Sequence, residues 1–150
     1  MRLAQHTDYG IRVLIYAAVL WPTGKLASIP EIAQAYGISQ NHLMKVVHRL
    51  GLLGLLHTQR GRNGGLRLTR DPSTLRLGQV VKLLEADMTL VVCSSDTKPA
   101  CPLAGMCRFA SALDEAKAAF LDALDRYTLA DAAEAPRGGG SAAVIAWLPR

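Results

Sequence analysis

The pattern of apolar and polar positions begins with a nearly continuous apolar stretch. Apolar residues fill positions 13–21, which predicts a buried first helix that ends at about Leu20. Thr7 can cap this helix, and Asp8 suits its first turn, where the positive end of the helix dipole lies. We therefore expect a buried N-terminal helix that carries Asp8 near its start.

Two shorter helices are predicted next. Ser28 and Glu31 have the spacing of a capping box, and the helix that they start should stop at Gly37. Ser39 can cap a third helix over residues 40–50. Two short helices joined by a glycine-containing turn are typical of a helix-turn-helix.

A hairpin is predicted directly after these helices. Residues 55–59 and 66–69 have extended character and flank the glycine-rich sequence RGRNGG, residues 60–65. A helix-turn-helix followed by such a hairpin indicates a winged helix. The expected fold is therefore mainly α with a small β-hairpin wing.

The rest of the chain predicts a fourth helix over residues 78–86, a cysteine-containing loop and a last helix over residues 108–129. An apolar stripe runs along the last helix, which is too long to bury on so small a domain, so we expect it to pack on its copy in a homodimer. The predicted interface residues are Phe109, Leu113, Ala116, Phe120, Leu124 and Tyr127.

Four segments follow from this pattern. They are a winged-helix DNA-binding domain (1–77), a helix with the cysteine loop (78–107), a long dimerisation helix (108–133) and a flexible tail (134–150). The tail contains an apolar stretch, AVIAWL, to which the pattern assigns no role.

Charge is divided unevenly between the two halves. Residues 1–82 carry eleven lysines and arginines against three acidic residues, whereas residues 83–150 carry six against nine. A basic front half with a polar third helix and wing arginines predicts binding to double-stranded DNA. The candidate DNA contacts are Ser28, Ser39, Gln40, Asn41, His42, Lys45, Arg49, Arg60, Arg62 and Asn63.

All three cysteines lie in the loop CSSDTKPACPLAGMC, as Cys93, Cys101 and Cys107. Their spacing is wider than that of structural zinc sites, which usually pair ligands two to four residues apart. An iron–sulfur cluster prefers thiolates and suits wider spacing. Spacing alone leaves open structural zinc and buried or redox-active thiols, and it does not decide between 2Fe–2S and 4Fe–4S.

Several stretches together carry a family resemblance. They are HTDYGIRVLIYAA, ISQNHLMKVVHRLGLLG, TQRGRNGGLRL, the cysteine loop and AFLDALDRYTLAD. Over about residues 1–133 the chain resembles the NsrR-type nitric-oxide-sensing repressors, in the winged-helix family that also contains IscR. The resemblance implies a homodimer with one 4Fe–4S cluster per subunit, which represses while the cluster is intact and leaves DNA when nitric oxide nitrosylates it.

The resemblance also implies a fourth ligand. In the IscR-type branch a histidine follows the third cysteine by three residues, but that position is Ala110 here. NsrR-type proteins can instead use an aspartate of the first helix from the other subunit, and the matching residue is Asp8. The gap between Cys93 and Cys101 is longer than in the family, which affects the shape of the loop.

Two other functional classes remain as alternatives. One is a regulator of the same fold with a different signal, which senses through an iron–sulfur cluster or through redox-active thiols, with zinc or bare thiols in place of the cluster in the latter case. The other is an electron-transfer protein. We expect no enzyme, because no catalytic triad, phosphate loop or carboxylate pair is present. We also expect no membrane span, because no segment reaches about 18 apolar residues. A cytoplasmic location fits three closely spaced cysteines.

Overall fold

The computed structural model describes residues 3–61, 64–85, 87–91, 101–103 and 106–134. The elements in chain order are α1 (Gln5–Leu20), α2 (Ile29–Tyr36), α3 (Gln40–Leu52), β1 (Leu56–Gln59), β2 (Gly65–Leu68), α4 (Leu77–Leu84), α5 (Arg108–Leu124) and α6 (Leu129–Ala133). The predicted fold, mainly helical with one small hairpin, is confirmed. None of the described helices is both long and apolar enough to cross a membrane.

Local sequence signals explain the helix-turn-helix formed by α2 and α3. Ser28 and Glu31 form the predicted capping box, in which the Ser28 hydroxyl accepts from the Glu31 N–H and the Glu31 carboxylate accepts from the Ser28 N–H. Gly37 ends α2 in the left-handed conformation, with φ of 63°. Ser39 is the N-cap residue of α3, although its side chain makes no capping hydrogen bond.

The wing is an antiparallel pair in which Leu56 lies opposite Leu68 and His57 opposite Arg67. Ala27 adds a one-residue third strand by exchanging backbone hydrogen bonds of 2.9 and 2.8 Å with Leu66. The wing is therefore fixed to the segment that precedes α2.

The hydrophobic core lies around α1, which contacts α3, α4, β2 and α6. Thr7 does not cap α1, so that prediction was wrong. The N-cap residue is Ala4, whose N–H donates to the Glu85 carboxylate at 3.2 and 3.4 Å. Thr7 is fully buried, and its hydroxyl has no partner within the described part of the chain.

The predicted last helix is in fact two helices. α5 ends at Leu124, and α6 begins with a second capping box in which the Thr128 hydroxyl accepts from the Asp131 N–H. Leu129 is fully buried, and α6 contacts α1. The end of the predicted dimerisation segment therefore folds back onto its own domain. The tail from residue 135 onward lies outside the described residues.

Candidate nucleic-acid interface and cysteine site

α3 is divided lengthwise into a buried and an exposed face. Its buried residues are Leu43, Val46, Val47 and Leu50. Its exposed polar residues are Gln40, Asn41, His42, Lys45, His48 and Arg49. Amides and cations are the groups that contact base edges and phosphates, so the exposed face has the chemistry of a recognition helix.

The two serines that precede α2 and α3, Ser28 and Ser39, differ in their hydrogen bonds. The Ser28 hydroxyl is occupied by the capping box, where it donates to Glu31 Oε2 at 2.7 Å. Ser39 is exposed and makes no capping hydrogen bond. Of the two predicted serine contacts, Ser39 thus has the hydroxyl that is not already used in a cap.

The wing adds exposed cations beside α3. Arg60 is exposed at the end of β1, while Arg62 and Asn63 lie outside the described residues. Arg67 is also exposed, although it is not among the predicted DNA contacts. The alternation of Leu66, Arg67 and Leu68 could have found it, because successive strand residues point to opposite faces.

Asp8 lies on α1 and pairs with Arg12 one turn later. Arg12 Nε donates to both carboxylate oxygens, at 3.1 and 3.0 Å, and 47% of the Asp8 side chain remains exposed. The Arg12 guanidinium lies 5.7 Å from the ring centroid of Tyr36, at the end of α2. Burial raises the pKa of Tyr36, and the positive charge of Arg12 opposes that rise.

A second contact joins the same turn of α1 to the recognition helix. The ring centroids of Tyr9 and His42 are 6.3 Å apart. The residues beside Asp8 therefore touch both helices of the helix-turn-helix, Tyr36 through Arg12 and His42 through Tyr9. No periodicity in the sequence indicated these contacts, because they join separate elements.

Cys101 and Cys107 are half-buried free thiols, whereas Cys93 lies outside the described residues. Cys107 is the N-cap residue of α5, and its side chain makes no capping hydrogen bond. Cysteine sulfur is the ligand that iron–sulfur clusters prefer. The chemistry of this donor thus fits an iron–sulfur cluster.

The described residues contain no group of three or more histidine, cysteine and acidic side chains that could hold a metal. The predicted ligands would not form such a group within the described residues. Cys93 lies outside those residues, and Asp8 is expected to come from another subunit. Ala110 occupies the first turn of α5, where it offers no ligand. Of the four predicted ligand residues, the structure describes Cys101 and Cys107 in the cysteine segment and Asp8 on α1.

The apolar stripe of α5 is partly exposed. None of its 17 residues, all of them described, is buried. Phe109 is 65% exposed, and Tyr127, in the break before α6, is 57% exposed. Ala116 is also exposed, and the remaining predicted interface residues are partly exposed: Leu113, Phe120 and Leu124.

The fold and the exposed polar face of α3 define a winged-helix DNA-binding protein. The structure of CymR (YrzC), the global cysteine regulator of B. subtilis, matches with a TM-score of 0.70 at 26% identity, over 89% of this chain and 96% of that chain. T. potens IscR matches with a TM-score of 0.69 at 23% identity, over 88% and 85%, which shows the fold alone.

Sequence comparison gives the family. Residues 3–135 match Rrf2, the iron-dependent transcriptional regulators. The chain is 47% identical over 131 residues to the HTH-type transcriptional regulator NsrR of Bacillus subtilis (strain 168), which covers 87% of this chain and 89% of that one. It is 46% identical over 131 residues to NsrR of Shouchella clausii (strain KSM-K16), covering 87% of each.

The chain belongs to the Rrf2 family, and its predicted resemblance to NsrR-type regulators is confirmed. It is a DNA-binding transcriptional repressor and not an enzyme.

Proposed function

We propose that this protein is a nitric-oxide-sensing repressor. A homodimer binds a pseudo-palindromic operator while its iron–sulfur clusters are intact, and it leaves the operator when nitric oxide nitrosylates them. The observation that carries this proposal is the cysteine loop ending at the N-terminus of α5, where Cys107 is a free thiol. It occurs in a chain 47% identical to a regulator named NsrR.

The proposed ligands of each cluster are Cys93, Cys101 and Cys107 of one subunit and Asp8 of the other. We favour 4Fe–4S, with one cluster per subunit. The cluster supplies iron atoms that react with nitric oxide. Asp8 suits the fourth position because its carboxylate is substantially exposed and, among the described residues, its ion-pair partner is Arg12 alone. A surface ion pair of this kind is worth only about 0–1 kcal/mol, so the carboxylate is available for another partner.

The dimer is supported by the exposed apolar stripe of α5. A groove of about 430 Å³ lies along this helix, lined by Leu113 and Phe120 of α5 and by Leu3 before α1. Burying apolar area is worth about 25 cal/mol per Å², so a second copy that covers this stripe would be stabilised. The same contact would bring the start of one α1 toward the other subunit.

Asp8 would couple the cluster to the DNA-binding helices through the contacts of α1. When the carboxylate is held by the other subunit, α1 is fixed at the turn where Tyr9 meets His42 and Arg12 meets Tyr36. Losing that ligand frees the turn, and the two recognition helices lose their relative orientation. By linkage, the cluster-loaded dimer then binds DNA more tightly than the cluster-free dimer.

The first test is anaerobic purification with iron, sulfide and absorption measurements, followed by nitric oxide titration while operator binding is measured. We expect a coloured protein whose DNA affinity falls as the cluster reacts. A cluster that reacts with no change in DNA affinity would refute the sensor function. A colourless protein that binds DNA and responds to oxidants would favour the thiol-based regulator.

The shared ligand set is tested with heterodimers that carry Asp8→Ala in one subunit and Cys101→Ser in the other. If Asp8 crosses the interface, one complete ligand set survives, and each heterodimer holds one cluster. If each subunit uses its own Asp8, both sets are incomplete and no stable cluster forms. The matched control places both substitutions in the same subunit. If Asp8 crosses the interface, both ligand sets are then incomplete and no stable cluster forms. If each subunit uses its own Asp8, one complete set survives.

A further inference from the structure

The C-terminal end of α4 has a backbone carbonyl that is capped by side chains from two other helices. α4 ends at Leu84, and Glu85 is extended, with φ of −81° and ψ of 104°. The last carbonyls of a helix lack partners within that helix, and basic side chains commonly satisfy them. At Leu84 O the donors are His6 Nε2, at 3.1 Å, and Arg49 Nη2, at 3.4 Å.

These contacts join three functional elements. His6 lies two residues before Asp8 on α1, and Arg49 belongs to the polar face of the recognition helix α3. Leu84 begins the segment that leads to Cys93, nine residues later. One carbonyl oxygen therefore lies between the helix of the proposed fourth ligand, the approach to the cysteine loop and the DNA-binding helix.

Other contacts hold the end of α4 against α1, and we call this contact region at Leu84 the junction. The Glu85 carboxylate accepts from the Ala4 N–H, which fixes the start of α1 to the end of α4. The Leu84 side chain is 1% exposed and lies against Gly10 of α1, where an added Cβ would be 2.9 Å from it. A displacement of α4 at this end must therefore move the start of α1 as well.

Arg49 can serve this junction and DNA together. Its guanidinium has five N–H donors, and the structure assigns one nitrogen to Leu84 O. Its side chain is exposed, so the remaining donors can face a phosphate. If the Leu84 carbonyl moves away, Arg49 loses the acceptor that orients it.

We propose that His6 and Arg49 are positioning residues that transmit the state of the cluster ligands to the recognition helix through the Leu84 carbonyl. This inference rests on the proposed function. With the cluster bound, the approach to the loop and the start of α1 are both held, and Leu84 O orients Arg49 toward DNA. Without the cluster, the junction loosens and that orientation is lost.

The test is the ratio of operator affinities of the cluster-loaded and cluster-free dimers. His6→Phe keeps a ring but removes the donor, so we expect the ratio to fall by about 3- to 10-fold, the effect of one hydrogen bond. His6→Gln keeps an N–H donor and should restore most of the ratio. Cluster content is measured in each sample by iron and sulfide analysis.

Arg49→Met tests the other donor independently. If Arg49 only contacted DNA, both forms would lose affinity equally, and an unchanged ratio would overturn its role at Leu84. The matched control is Arg60→Ala, which leaves the contacts at Leu84 in place and should lower the affinity of both forms by the same factor. If the operator affinity of the parental protein were the same with and without the cluster, the proposed function would be refuted. If the parental protein responds to the cluster but the affinity ratio is unchanged in both variants, this inference alone would be refuted.

A second readout uses the cluster-loaded protein, in which the contact between His6 and Leu84 O is proposed to be held. Loss of the His6 contact should raise amide hydrogen exchange in the first turn of α1 by about 3- to 10-fold, because local opening becomes easier there. Exchange as slow as in the parental protein would contradict the proposed tie between α1 and α4.

Discussion

Replacing Gly78 with alanine places a methyl group where α4 crosses α5. The added Cβ would lie 2.5 Å from the Leu121 carbonyl oxygen and 2.5 Å from Asp125 Oδ1, whereas real Cβ atoms essentially never approach within 3.0 Å. The last turn of α5 must therefore move away by at least about 0.5 Å, the difference between these distances. Glycine is needed here for close helix packing.

The free energy of unfolding should fall for two reasons. Overpacking a tight contact costs about 1–3 kcal/mol. The movement also weakens the hydrogen bond from the Gln79 N–H to Asp125 Oδ1, now 2.9 Å long, which is exposed and worth about 0.5 kcal/mol. Alanine favours a helix over glycine by about 0.5–1 kcal/mol, so we expect a net loss of roughly 0.5–3 kcal/mol.

The assay is urea unfolding at one fixed protomer concentration, because the stability of a dimer depends on concentration. Gly51→Ala is the matched control. An added Cβ there meets only the Leu56 carbonyl oxygen, at 3.9 Å, so this variant should be unchanged or more stable by up to about 1 kcal/mol. Equal stability of the Gly78 and Gly51 variants would refute the close α4–α5 contact.

Three further changes test other parts of the molecule. Leu129→Ala, at a fully buried position of α6, should lower the unfolding free energy by about 2–5 kcal/mol in urea titrations. Arg60→Ala should weaken DNA binding at every sequence and reduce the slope of log affinity against log salt by about 1. Hydrogen bonds from the backbone and hydroxyl of Thr128 lower the pKa of Asp131, so the stability advantage over Asp131→Asn should be complete at neutral pH and disappear as pH falls through that lowered pKa.

The helix-turn-helix could be predicted from sequence because its signals are local. The Ser28–Glu31 capping box, the stop at Gly37 and the start of α3 after Ser39 each depend on residues within one or two turns. The break between α5 and α6 also has a local signal in the sequence. Thr128 and Asp131 have the spacing of a capping box, but the continuing apolar periodicity favoured one long helix.

The contacts that join the elements could not be predicted in this way. The cap of α1 comes from Glu85, 81 residues away from Ala4, and local sequence favoured Thr7 instead. The hydrogen bond from Arg49 to Leu84 O joins residues 35 apart and gives a predicted DNA contact a second partner. Such pairings depend on how helices pack, which periodicity does not specify.

The most direct test of the proposed function is operator affinity, measured anaerobically as nitric oxide is added to the cluster-loaded dimer. Absorbance of the cluster is followed in the same samples. We predict that affinity falls by about 5- to 150-fold, in proportion to the cluster that has reacted, as expected for a coupling of 1–3 kcal/mol. Unchanged affinity after complete reaction of the cluster would contradict this account.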